Sequence, residues 1–172
     1  METSKYLSFD VGSKNPAFTY ASVRENTVTI LAMIKDDWTR RWKERIDNIL
    51  LEYMPNEIVI ESQRANSPNA KYMHYIRERA AYHHINCTNT RPPCRAPSYG
   101  ERKKLSKEMF INALLNSEIE EKGMIFWNDF KNKFYDKKEK MDDLADSFNL
   151  LINFIVEKKA ITSPNIKFSS VD

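Results

Sequence analysis

Residues 6–12 read Tyr6-Leu7-Ser8-Phe9-Asp10-Val11-Gly12, and residues 57–61 read Glu57-Ile58-Val59-Ile60-Glu61. Each is a short apolar run, too brief for a helix, that closes on or beside an acid, and each reads as a buried strand. An acid at the end of such a strand must stay at the rim of the sheet or face a cation, because an unpaired interior carboxylate is costly. Asp10 is the harder of the two to explain as structure, since Asp is disfavoured in strands. Between the two runs Asn15-Pro16 marks a turn. Ala17 to Val23 and Thr27 to Ile34 are rich in aromatic and β-branched residues, and Glu25-Asn26 between them predicts an antiparallel hairpin. Trp38, Trp42, Ile46, Ile49, Leu50 and Tyr53 then recur at helical spacing, with Asp36 or Asp37 as cap and Pro55-Asn56 as stop. Three strands, a crossover helix and a parallel returning strand predict an α/β fold, a mixed sheet flanked by helices.

Further along, the pattern turns helical. Asn69 to His84 predicts a helix entered through Ser67-Pro68, and residues 85–98 an irregular stretch with room for one short strand. Arg102 to Leu115 reads as a helix, and Glu118 to Tyr135 as another, interrupted at Gly123. Met141 to Val156 carries the longest apolar stripe: Met141, Leu144, Ala145, Phe148, Leu151, Ile152, Ile155 and Val156. The polar tail from Ala160 is expected to be loose. A chain of 172 residues suits one domain, 1–172, with 160–172 as that tail.

Composition narrows the class. With 41% hydrophobic and 30% charged residues the chain reads as globular, not disordered. No apolar run approaches the roughly 18 residues that would cross a bilayer, and the start, Met1 to Lys5, is polar, so an intracellular protein with no membrane partner is expected. Cys87 and Cys94 could bridge, but in a reducing compartment two free thiols are expected. His74, His83 and His84 lack the spacing of a zinc site. The net charge of +3 is unevenly spread: Ser62 to Lys107 holds ten Lys and Arg against Glu78 and Glu101. A basic middle in an otherwise acidic chain reads as a surface for phosphates, although a charge run can equally be a solvated helix.

Asp143 and Asp146 lie three apart on one face of the last helix, off its apolar stripe, with Asp142 beside them. Brought together with Asp10 and Glu61 they would repel one another, and a divalent cation would relieve that. Oxygen ligands without Cys or His suit Mg²⁺ or Mn²⁺. From the residues alone a second reading stands beside this one. Asp142 and Asp143 would also suit the positive end of a helix dipole, and Glu61 a strand-end salt bridge.

Four segments resemble a known family. Phe9-Asp10-Val11-Gly12-Ser13-Lys14-Asn15-Pro16 is similar to the opening motif of the poxvirus Holliday junction resolvases, relatives of bacterial RuvC. Ile58-Val59-Ile60-Glu61-Ser62-Gln63-Arg64, with Ser67-Pro68 after it, resembles their second acidic motif. Tyr99-Gly100-Glu101-Arg102-Lys103-Lys104 resembles their basic motif, and Asp142 to Leu150 their last. The motifs stand in family order across residues 9–150. The resemblance implies a ribonuclease H-like fold, a homodimer, and a crossover junction endodeoxyribonuclease that makes paired nicks in branched DNA, the Holliday junction above all. It implies Mg²⁺, with Mn²⁺ as substitute and two ions per site, held by Asp10, Glu61, Asp143 and Asp146, and no small-molecule cofactor. It implies action in the host-cell cytoplasm. The family's catalytic lysine falls in Arg102-Lys103-Lys104; Lys104 is favoured, with Lys103 and then Lys107 as competitors. Arg64, Lys71, Arg77, Arg79, Arg102, Lys103 and Lys107 are the expected DNA contacts. Tyr72, Tyr75 and Tyr82 could stack on bases or belong to the core, and the apolar part of Asn69 to Ile85 is the expected dimer surface.

Three rivals share parts of this pattern. Actin-like ATPases also open with Asp-x-Gly-Ser, but need further glycine-rich phosphate loops, and this chain has three glycines. A ribonuclease H-like nuclease for another nucleic acid would keep the acids and change the substrate. An inactive DNA-binding homologue would keep the scaffold.

Overall fold

The computed structural model describes residues 2–92, 94–135 and 140–170. Its centre is a seven-stranded mixed sheet. β1 (Ser4–Asp10), β2 (Ala17–Arg24) and β3 (Thr27–Lys35) form an antiparallel meander. β4 (Glu57–Glu61) and β5 (Asn86–Thr90) add in parallel beyond β1, while β7 (Asn165–Phe168) and β6 (Glu118–Ile119) extend the other edge. The order is β5-β4-β1-β2-β3-β7-β6. This is the mixed α/β architecture that the alternation of strand and helix patterns predicts.

Strand periodicity assigns each side chain to a face. Leu7 and Phe9 of β1, Val11 just beyond it, and Ile58 and Ile60 of β4 pack beneath α1 (Trp42–Tyr53) and α2 (Ala70–Tyr82), together with Ile46, Leu50, Tyr72 and Ile76. Tyr6 and Val59 face the opposite side, where α3 (Tyr99–Leu115), α4 (Met124–Tyr135) and α5 (Asp142–Lys159) lie. The polar residues of that second face are met by α5. Ser8 Oγ donates to the Ser147 carbonyl at 2.6 Å, and Thr19 Oγ1 lies 2.8 Å from Ser147 Oγ. Buried hydroxyls stay in a core only where they find such partners.

Three expectations need correction. The first long helix begins at Trp42, not after Asp36 or Asp37. Asp37 Oδ1 accepts from Thr39 N and Oγ1 at 2.9 and 2.6 Å, and Asp36 Oδ2 from Trp38 Nε1 at 3.1 Å, so both acids build a turn. Trp38 is buried from this turn, and its spacing from Trp42 imitates a helix. The tail from Ala160 is not loose: Asn165–Phe168 is β7, inserted between β3 and β6, with Phe168 fully buried against Phe148 and Trp127. The chain passes so close to Gly123 here that a Cβ there would lie 2.9 Å from Ser170 N. Finally, Glu118 to Tyr135 is not one interrupted helix, since Glu118–Ile119 pairs as β6 and a short 3₁₀ turn (Glu121–Gly123) precedes α4.

No described helix is long and apolar enough to cross a membrane. Cys87 and Cys94 are free thiols, and burial pushes the Cys87 thiol up to about 11.

Candidate active site

Phe9 pairs with Ile60 in the parallel β1–β4 ladder, so Asp10 and Glu61, one residue further on each strand, leave the sheet side by side. Counting back by twos from each puts both on the face of Ser8 and Val59, which is the α5 face. The first turns of α5 cross there and bring in Asp143 and Asp146. The four carboxylates line one cleft of about 410 Å³, with Gly12 to Asn15 along its rim and Arg102 and Lys103 from α3 opposite.

Lys103, not Lys104, is the lysine of this cleft. Its ammonium is bonded to Asp146 Oδ2, and its side chain is 15% exposed. Lys104 points to solvent, 78% exposed, 3.9 Å from Glu108. The phase of α3 decides this. Ser98 caps the helix in a reciprocal box with Glu101, and Phe110 and Leu114 bury its inner face. A step of four and then one of three back from Phe110 reach Ser106 and Lys103, seven residues and nearly two full turns away, whereas Lys104, six residues back, lies about a third of a turn off that face.

The electrostatics follow from crowding. Burial, and then the charge of Asp146, push the Asp10 carboxyl well above the usual range, with Glu61 and Asp143 adding to it against Lys103. Glu61 is raised by burial and then by Asp146, while Arg102 and Lys103 pull it down. Asp143 is raised by burial, against the pull of Lys103, Lys35 and Lys140. For Lys103 burial acts downward, but its bond to Asp146 and the neighbouring acids outweigh this and leave it above its ordinary value. Asp143 Oδ2 is buried and accepts no hydrogen bond; Lys35 Nζ, which donates to the Lys140 carbonyl, stands 3.8 Å away. Among the described residues no three His, Cys, Asp or Glu groups are drawn in tightly enough to hold an ion as they stand. The donor chemistry and the orphaned Asp143 oxygen fit a hard divalent cation.

The remaining expected residues divide. Arg102 lines the cleft. Arg64, Lys71 and Arg77 are exposed, Arg64 in the loop after β4 and the others on α2. Lys107 lies 3.9 Å from Asp142, which flanks the cleft. Arg79 is committed within the fold: its Nε donates to Asp47 Oδ1 at 2.7 Å, and Tyr75 OH donates to Asp47 Oδ2. Tyr72 is core, 2% exposed under Trp38 and Trp42, so it cannot stack on a base; of the three tyrosines only Tyr82 is widely exposed. The apolar part of Asn69 to Ile85 is not a free surface for a second copy, because Ala70, Tyr72, Met73, Ile76, Ala80 and Ile85 are spent on the chain's own core. The sequence reading missed Ser106, which donates to Asp146 Oδ1 at 2.5 Å, Asn149 behind it, and Lys35.

The Poxvirus A22 protein family model matches residues 6–158. The chain belongs to this family. Its relatives include the Holliday junction resolvase of fowlpox virus, 34% identical over 151 residues that cover 86% of this chain and 90% of the relative. A resolvase of variola virus is 32% identical over 157 residues, 88% of this chain and 75% of the relative. The crystal structure of the fowlpox virus Holliday junction resolvase superposes with a TM-score of 0.74 at 28% identity, covering 90% of this chain and 99% of that one. Thermus thermophilus RuvC, at 14% identity and a TM-score of 0.50 over 93% of this chain and 99% of that one, shares the fold. The A22-family chain described here is thus ribonuclease H-like, with its acids where β1, β4 and α5 meet.

Proposed function

We propose that this chain is a Holliday junction resolvase, a divalent-cation-dependent endonuclease that makes paired nicks in four-way DNA in the host-cell cytoplasm. The observation that carries the reading is the convergence of Asp10, Glu61, Asp143 and Asp146 on one cleft with Lys103 among them, in a member of a family whose fowlpox relative is a Holliday junction resolvase.

The four acids would hold Mg²⁺ or Mn²⁺, two ions per site. Bound there, the ions supply Lewis acidity toward a phosphate and lower the pKa of an attacking water. The protein's own groups do the rest. With Asp146 engaged in holding a cation, Lys103 would be free to direct its charge toward the scissile phosphate, where charge grows in the transition state. Arg102, at the cleft wall, holds a neighbouring phosphate, and a guanidinium suits that geometry. Arg64, Lys71 and Arg77 contact the DNA backbone further out and set affinity, not rate. One cleft cuts one strand, so a twofold homodimer matches the symmetry of a four-way junction and is expected at about 40 kDa, twice the 20.3 kDa chain.

The test is cleavage of a synthetic four-way junction beside a linear duplex of the same sequence, with and without Mg²⁺ or Mn²⁺. Paired nicks in the junction alone, abolished by EDTA, are expected. Full activity in excess EDTA, or equal cutting of the duplex, would sink the reading.

A further inference from the structure

Asp146 is gripped from two sides. Lys103 Nζ bonds to Oδ2, and the Ser106 hydroxyl bonds to Oδ1 at 2.5 Å. Both donors rise from the same face of α3, three residues apart. Behind them stands Asn149, three residues beyond Asp146 on α5. Its Nδ2 reaches the Ser106 hydroxyl at 2.9 Å and the Ser106 carbonyl at 2.8 Å. Ser106 and Asn149 are 0% and 3% exposed, in a layer otherwise made of Phe110, Ala145 and Phe148.

Chemistry fixes the direction of this chain of bonds. A carbonyl oxygen only accepts, so Asn149 must turn its nitrogen, not its oxygen, toward Ser106. The Ser106 hydroxyl then accepts one amide hydrogen and keeps its single proton for Asp146. The relay runs from Asn149 through Ser106 to Asp146. A carboxylate is otherwise free to turn about its Cβ–Cγ bond; with Oδ1 held from behind, its plane is set and Oδ2 faces the cleft. Burying a serine and an asparagine among aromatic rings costs free energy unless every bond is made, and here the bonds lead to an acid of the site.

We propose that Ser106 and Asn149 are positioning residues for Asp146: they hold Oδ1 and so present Oδ2 to the cleft as the oxygen that exchanges Lys103 for a divalent cation. The proposal rests on the metal-dependent reading of the site. Partners that orient metal-binding carboxylates in this way change metal affinity by roughly ten- to a hundredfold.

The experiment is Mn²⁺ binding to the full chain without DNA, by calorimetric titration, with thermal unfolding measured on the same samples. S106A and N149A are compared with S147A. Ser147 is equally buried and adjacent to Asp146, but its hydroxyl meets Thr19 and the Leu144 carbonyl, not the carboxylate. S106A and N149A are expected to bind Mn²⁺ about ten- to a hundredfold more weakly than wild type. S147A should lose thermal stability to a similar degree and bind Mn²⁺ as wild type does. If S106A does not fold, S106C, similar in volume and a weaker donor, takes its place. Undiminished affinity in N149A and the Ser106 variant would overturn the proposal. So would weaker binding by S147A in step with its lost stability, because packing would then be the cause. A wild-type chain that takes up no Mn²⁺ would remove the metal reading itself and the proposal with it, an outcome distinct from the other two.

Discussion

Replacing Lys103 by Ala removes the cation that Asp146 holds in the cleft, and the size of the effect follows from where that cation sits. Its side chain is 15% exposed and Asp146's is 18%, so the pair is screened far less than a surface bridge. Removing one well-placed charge from beside a reacting phosphate costs about 2.7–4 kcal/mol, roughly a hundred- to a thousandfold in rate. Single-turnover cleavage of a four-way junction at saturating enzyme should therefore slow by that factor in K103A, with junction binding little changed. Lys104→Ala supplies the contrast. Its side chain is 78% exposed and its partner Glu108 is 3.9 Å away, a pair worth about 0–1 kcal/mol, so K104A should cleave at nearly the wild-type rate. The two roles given to Lys103 also separate. As a counter-ion it competes with a cation for Asp146, so K103A should bind Mn²⁺ at least as tightly as wild type while cutting more slowly. Loss of rate in K104A with K103A intact would refute the phase assigned to α3. Equal loss of Mn²⁺ affinity and of rate in K103A would refute the competition.

Other expectations follow from the same geometry. Because Asp10, Glu61 and Asp143 are all raised by burial, the folded chain holds protons more tightly than the unfolded one, so their contribution to stability is complete below the ordinary 3.8 to 4.5 and is lost as pH rises through the raised values. In EDTA, D10N should therefore melt higher than wild type near pH 7 while cleaving orders of magnitude more slowly with Mg²⁺; a lower melting temperature at every pH would make Asp10 a structural acid instead. Phe168→Ala should cost about 3–5 kcal/mol in denaturant unfolding, since the ring is fully buried between Phe148 and Trp127, and an unchanged midpoint would contradict the place given to β7. Arg77→Ala should lower the salt dependence of junction binding by about 0.9 in log–log slope. Arg79→Ala should shift that slope less and lower stability more, because Arg79 already answers Asp47; matching slopes for the two would refute that.

The sheet was legible because its signals are local. The short apolar runs of β1 and β4, the aromatic and β-branched stretches of β2 and β3, and the acids closing β1 and β4 can be read residue by residue. The start of α1 was not, because Trp38 falls four residues before Trp42 and lies in a turn whose form depends on side-chain bonds from Asp36 and Asp37. β7 was hidden because four residues, Asn165 to Phe168, acquire a strand's identity only from β3 and β6 on either side. In the site, the four acids announced themselves by position, whereas the lysine turned on helix phase. That phase was available: Ser98-x-x-Glu101 starts the helix, and Phe110 marks its buried side. Ser106 and Asn149 carry no signature of their own, since a lone Ser or Asn in a helix is ordinary until the helix opposite is known.

The place of α5 and β7 in the chain bears on how the protein is made. A ribosome releases Asp10 and Glu61 early, yet they meet Asp143 and Asp146 only when α5 emerges. β3 stays an open edge until residues 165–168 are free to pair with it. Until then the nascent chain carries its exposed Arg64, Lys71 and Arg77 without a finished acidic cleft, and an unpaired strand edge that invites other chains. On the proposed function, synthesis itself would act as a safety catch: such a chain could touch DNA before α5 and β7 arrive, but not cut it.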